Sequence, residues 1–229
     1  MSEDYRFHLD RAHEFYEDGN YEAARAAAQY ALESDPPADI SEAQTVIALA
    51  LRKLEYNDKA FKMLTDIVAK SPNPDACAEY ALMSAERGIC DETCRENAEK
   101  AIEESPDNAS AYVALFWYHQ SHENYIEALR HLKRGMHRGA EFSAHRAFEL
   151  VRTWCQEACN REDPSGALGI SSEIADYFNN LDFSVLHARI AEIANEPRIA
   201  VEYYKRALGW LRPGPMRTDI LEAIARLAI

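Results

Sequence analysis

The residues best able to do chemistry in this chain are its histidines and cysteines. His119 and His122 stand three apart, with His131 and His137 downstream. Two imidazoles at helical spacing can share a metal ion. The only carboxylate beside them is Glu123, and no Asp or Cys adjoins to complete a shell. Capping or surface histidines are the plainer reading. Five cysteines include Cys90 with Cys94 and Cys155 with Cys159, each pair four residues apart. On a helix that places both thiols on one face, which suits packing or a soft metal and is poor geometry for a disulfide. The spacing does not fit the usual zinc patterns. No Gly-rich phosphate loop, Gly-x-Ser-x-Gly, His-Glu-x-x-His or calcium loop occurs. The sequence therefore offers no recognisable catalytic or cofactor motif and is read as non-enzymatic, with an enzyme or metal sensor as the third class beside the two interaction roles given below.

The elements that carry these residues show themselves as repeats. Ala24, Ala60, Cys94 and Ala128 are spaced 36, 34 and 34 residues apart. Pro36, Pro72 and Pro106 follow at matching intervals, with Ala140 where a fourth would fall. Cys94 thus sits in an alanine column, which argues for a small core side chain. Phe15, Leu51, Ala85 and His119 form a second column; Ala31, Ile67, Ala101 and Gly135 form a third. Each unit reads as two helices. In the first, Tyr5, His8, Ala12 and Phe15 recur at helical spacing. Gly19 stops that helix in a left-handed conformation, Asn20 caps the next, and Pro36 and Pro37 end it near Ser34.

The same grammar places a second unit at about 40–70, turning at Tyr56-Asn57-Asp58. A third falls at about 75–104, with Gly88 as stop and Asp91 as cap. A fourth, at about 109–138, turns at His122-Glu123-Asn124. Asp75, Asp107 and Asn108 suit the starts of first helices. Beyond 140 the pattern loosens: a helix at 143–159, a loop at 160–166, then a helix to Phe178 broken by Asn179-Asn180. A clear pair returns at 183–194 and 197–211. Pro213-Gly214-Pro215 precedes a last helix at 216–228. Single pairs of this kind cannot bury their apolar faces alone, so neighbours must stack. The prediction is an all-α solenoid of about thirteen helices in one domain, 1–229, with an irregular pair at 143–179.

The net charge of −14 is uneven: residues 1–40 and 75–108 each hold ten acids against three bases, and the remainder balances. Such a field disfavours nucleic acid, whose phosphates need Lys and Arg. It keeps an alanine-rich scaffold soluble and can steer a basic partner. No apolar run approaches the ~18 residues of a spanning helix. The acidic start, Met1-Ser2-Glu3-Asp4, is unlike a secretory signal. A cytoplasmic protein with reduced thiols is expected.

These columns resemble the tetratricopeptide repeat. Ala12, Phe15, Gly19, Tyr21, Ala24, Ala31 and Pro36 stand where that family prefers small, aromatic, Gly, Tyr, Ala, Ala and Pro. The resemblance is strong over about 3–138 and good at 183–213. It departs in the second unit, where Glu55 and Asn57 replace Gly and Tyr, and in the third, where Asp91 replaces Tyr. Pentatricopeptide repeats share the spacing but bind RNA and are basic. The resemblance implies a right-handed superhelix whose first helices line a concave groove for a peptide or extended segment.

Matched to the family pattern, the groove would carry Arg6, Leu9, His13, Tyr16 and Glu17 from the first unit. The second adds Glu42, Thr45, Leu49, Arg52 and Lys53; the third Glu79, Met83, Glu86 and Arg87; the fourth Val113, Trp117, Gln120 and Ser121. Its floor is Leu9, Tyr16, Leu49, Met83, Val113 and Trp117. The competing reading packs Trp117 and Tyr118 against neighbouring helices. The positions of the family's carboxylate clamp hold Leu9, His13, Val46, Ala76 and Tyr80, so no cation remains to grip an acidic C-terminus. The expected partner is a protein segment with apolar anchors, carrying Lys or Arg to meet Glu17, Glu42, Glu79 and Glu86. The expected function is a scaffold or adaptor; the alternative is a dedicated chaperone for one secreted or assembly-prone client. The last helix, with Ile220, Leu221, Ile224, Leu227 and Ile229, either covers the end of the stack or also self-associates through 216–229.

Overall fold

The computed structural model describes residues 3–34, 40–140 and 142–227, and among them every regular element is a helix. There are thirteen: α1 (Glu3–Glu17), α2 (Tyr21–Glu33), α3 (Ser41–Lys53), α4 (Asn57–Lys70), α5 (Pro74–Glu86), α6 (Glu92–Glu104), α7 (Ala109–Ser121), α8 (Tyr125–His137), α9 (Ala144–Asn160), α10 (Pro164–Glu173), α11 (Leu181–Ile193), α12 (Pro197–Leu208) and α13 (Pro215–Leu227). No helix among the described residues is long and apolar enough to cross a membrane. Pro36, Pro37, Ala228 and Ile229 lie outside the described residues.

One left-handed residue turns each pair. Gly19, Glu55, Gly88, Glu123, Glu162 and Asn195 all have positive φ, between 55° and 77°. At Gly19 the Asn20 N–H donates to Phe15 O at 2.8 Å, closing the reverse turn that satisfies the helix's last carbonyls. The Tyr56 N–H to Leu51 O and Glu196 N–H to Ala191 O bonds repeat this geometry. Gly takes this conformation freely; Glu and Asn do so at a cost. Glu55 therefore fills the turn position that Gly occupies in the first unit. The second unit turns at Leu54–Tyr56, and Asn57 is already helical, so the turn lies two residues earlier than the sequence suggested.

Side-chain caps start the helices. Asn20 and Asp91 accept from the N–H groups of Ala23 and Cys94, as anticipated. At α5 the cap is Asn73, which accepts from Ala76 N–H at 2.9 Å with Pro74 in the first turn; Asp75 is not the cap. Asn108 caps α7 and Asp107 instead lies 3.4 Å from Arg138. Asp163 accepts from Gly166 N–H at 2.8 Å and Pro164 opens α10. The expected loop at 160–166 is thus shortened to Arg161–Asp163, and the helix ends at Glu173 rather than Phe178.

The chain divides into two compact units, 1–122 with 137–140, and 123–136 with 141–229. In the first, consecutive helices α1 to α7 pack in order, and first helices α1, α3, α5 and α7 also touch in sequence. Ala24, Ala28, Ala31, Ala60, Ala98 and Ala101 are fully buried, so the backbones approach closely where the columns predicted. Cys94 is buried in the same column, its thiol donating to Ala81 O at 3.3 Å. In the second unit α9 to α13 pack in order. There α8 is held by a Tyr125–Trp154 ring stack at 4.7 Å and by Lys133 donating to Glu173 O at 2.8 Å.

Candidate functional site

The first helices of the first unit bring the expected groove residues onto α1, α3, α5 and α7. Their exposures divide them. Leu9 is 4% and Met83 2% exposed, both in one core cluster with Val46 and Ala76. They pack the stack and offer a ligand almost no surface, which removes them from the floor. Thr45 is buried too: it donates to Ser41 O at 2.8 Å and accepts from Asn73 Nδ2 at 2.9 Å. It ties α3 to the start of α5. Tyr16, Leu49, Val113 and Trp117 remain half-buried. Trp117 rests on the cluster containing Cys77, Ala81 and Leu115, with its ring 4.7 Å from Phe116. Tyr118 points instead to α6, donating to Glu92 Oε2 at 3.2 Å. The packing reading therefore holds for Tyr118 and for part of Trp117.

The charges are arranged differently from the simple expectation. Arg52 on the last turn of α3 pairs with Glu79 and, at 2.7 Å, with Glu86, both on α5. Glu79 is only 8% exposed. It is a buried partner of Arg52 and not a free steering charge. His13 Nε2 lies 3.4 Å from Glu42 Oε1. Glu17 and Glu42 stay exposed, and Arg87 is drawn away to Asp58 at 2.8 Å. Tyr16 stacks edge-on to Tyr21 at 5.3 Å. Burial pushes its phenol above the ordinary value, so it remains a neutral donor. On α7, Gln120 Oε1 is shut from solvent with no hydrogen bond among the described residues. An unsatisfied buried acceptor is uncommon and costs free energy until a donor arrives.

His122, Cys94 and Cys155 are each tied to a backbone carbonyl. His122 Nδ1 lies 2.8 Å from Tyr118 O, closing the end of α7. Among the described residues no three His, Cys, Asp or Glu side chains gather as a metal shell. Cys90 lies in the connection before the Asp91 cap, so it does not share a helix face with Cys94. Burial raises the Cys94 and Cys155 thiols to about 12, which keeps them protonated. Sequence reasoning missed the Asn73 cap and the bridges between repeats made by Asn73, Asn108 and Arg52. Asn73 and Asn108 each cap a helix and also donate back one repeat, to Thr45 and Asp75. The Asn73-Pro74 pair was the available signal. The bridging role of Arg52 spans 27 residues and left no local signal.

In the second unit, Ile220 of α13 is buried against Ala188, Ala191 and Tyr204. Met216 and Leu221 on the same helix are exposed, as are Ile193 and Trp210. One side of α13 thus covers α11 and α12, and apolar side chains remain outside.

No protein-family model matches this sequence, and no curated protein matches it. Solved structures do match its fold. PilF of Pseudomonas aeruginosa superposes with a TM-score of 0.54 at 16% identity, over 96% of this chain and 97% of that one. The C-terminal part of a TPR repeat-containing protein from Cytophaga hutchinsonii gives 0.55 at 14% identity, over 88% and 78%. PilW, a widely conserved type IV pilus biogenesis factor, gives 0.51 at 18% identity, over 91% and 94%. The fold is that of tetratricopeptide-repeat proteins, an all-α helical repeat.

Proposed function

We propose that this protein is a non-catalytic scaffold that binds a segment of another protein along the first helices of its first unit. The observation that carries the reading is the row of half-buried apolar side chains on those helices. Tyr16, Leu49, Val113 and Trp117 all keep reachable surface, Val113 and Trp117 packed on the core beneath them and Tyr16 against Tyr21. Pre-ordered aromatic and aliphatic anchors cost little entropy on binding and dominate recognition energy.

The partner is a segment with apolar anchors. Basic residues in it would meet Glu17 and Glu42, because Arg52 already engages Glu79 and Glu86. Charge therefore contributes less to recognition than the composition alone suggests. With a bound partner in hand, Trp117→Ala should weaken affinity about thirtyfold, on the order of 2 kcal/mol. A thermal melt must show the variant folded. Unchanged affinity in a folded variant would move the site elsewhere, with the exposed apolar residues of α13 next in line. A single client bound in fixed stoichiometry would favour a dedicated chaperone over an adaptor.

A further inference from the structure

The first unit also holds a cleft of about 660 Å³ between α3 and α4, on a different face of α3 from the groove. Ser41, Gln44 and Leu51 line it, while Glu42, Leu49 and Arg52 point roughly a third of a turn away. Its floor is apolar: Leu51 and Ile67 are buried there, with Met63 half-buried above. Its rim is basic. Among the described residues, Lys59, Lys62 and Lys70 line the cleft against one carboxylate, Asp66. In a chain of net charge −14, such a local excess of positive charge stands out. Lys59 lies 5.2 Å from the Tyr56 ring. Lys62 and Lys70 are exposed and have no ion-pair partner among the described residues, unlike Arg52, Arg87 and Arg95.

We propose that this cleft is a second docking site, for an acidic amphipathic protein segment. Two features choose that occupant. Lys59 and Lys70 are eleven residues apart on one helix, a rise of about 16 Å. A small anion would reach one end only; an elongated ligand with carboxylates two or three turns apart reaches both. Between the lysines the half-buried Met63 lies over the closed floor of Leu51 and Ile67, which calls for apolar side chains in the middle of the ligand. Asp66, between the charged ends, opposes a continuous polyanion such as nucleic acid but faces the apolar part of an interrupted one. The groove prefers a neutral or basic segment, so the two sites take different partners, which is what an adaptor requires. The proposal does not depend on the groove being occupied.

The test is selection of a random sixteen-residue display library on the folded protein. Recovered sequences are rebound to Lys62→Glu/Lys70→Glu and to Leu49→Asp, each checked by thermal melt. The expected result is a class rich in Asp and Glu around apolar side chains. Its binding should weaken at least tenfold on the lysine reversal and be unaffected by Leu49→Asp. The proposal is overturned if no acidic class is recovered, or if that class binds the lysine-reversed protein as well as the wild type.

Discussion

Arg52 of α3 is ion-paired with Glu79 of α5, and the carboxylate it holds is almost closed off from solvent. The pair joins the second repeat to the third on the face that also carries Leu49. Removing Glu79 leaves the partly exposed Arg52 with Glu86 as its remaining partner. Glu79→Ala should therefore destabilise the protein by about 2 kcal/mol, through the lost charged hydrogen bond, and Glu79→Lys by at least as much. Replacing both, as Arg52→Met/Glu79→Leu, should recover most of the loss, since neither charge then remains. Urea melts of the three variants decide this. A Glu79→Ala protein as stable as wild type would show that the pair is solvated and slack.

His187 on α11 is a second buried polar group with a consequence. Its Nδ1 lies 2.8 Å from Ser171 Oγ, which in turn donates to Ala167 O at 3.1 Å. The ring is 2% exposed, 4.1 Å from Tyr203. Burial, with the Arg206 charge as a smaller cause, lowers its pKa to about 4. A histidine depressed in the folded state stays neutral there while the unfolded chain takes up a proton. Its contribution is whole above pH ~6.5 and is lost as pH falls towards 4. About 2–3 kcal/mol should disappear between pH 7 and 4.5. His187→Gln should show a shallower fall over that window in matched melts. Equal slopes for the two proteins would refute the assignment.

The left-handed turns give a prediction of opposite sign. Glu55 has φ of 66° at a position where Gly19 and Gly88 serve in neighbouring pairs. Glu55→Gly should relieve roughly 1 kcal/mol of backbone strain, net of the flexibility it adds to the unfolded chain. A raised urea midpoint with unchanged slope is the expected reading; a lowered midpoint would mean that the Glu55 side chain contributes more than the turn costs.

Much of this was legible because the relevant signals are local. Gly19 with Asn20, Gly88 with Asp91, and Asn108 announced turns and caps within a few residues, and the alanine columns announced close packing. α10 was misjudged because Pro164-Ser165-Gly166 reads as loop, while a capped helix start uses the same residue types. Leu9 and Met83 share the helix face that carries groove positions. Only the neighbouring helices decide that these two are covered and Leu49 is not. Arg52 with Glu79, and Ser171 with His187, join separate helices and carry no periodic mark.

The thiols should be silent. Cys77, Cys94 and Cys155 are buried, and burial raises all three pKa values. Ellman's reagent at pH 8 should modify none of these three in the native protein and all of them in denaturant. Rapid native modification of Cys94 or Cys155, located by peptide mapping, would contradict the packing described.

Photocrosslinking in the native cell tests whether a partner lies along the first helices. A photoreactive amino acid is placed at Leu49 or Val113 on first helices, and at Gln29 or Thr65, exposed on second helices. The expected result is the same covalent partner band from Leu49 and Val113 and none from Gln29 or Thr65. A partner captured only from Gln29 or Thr65, with Leu49 and Val113 blank, would contradict it.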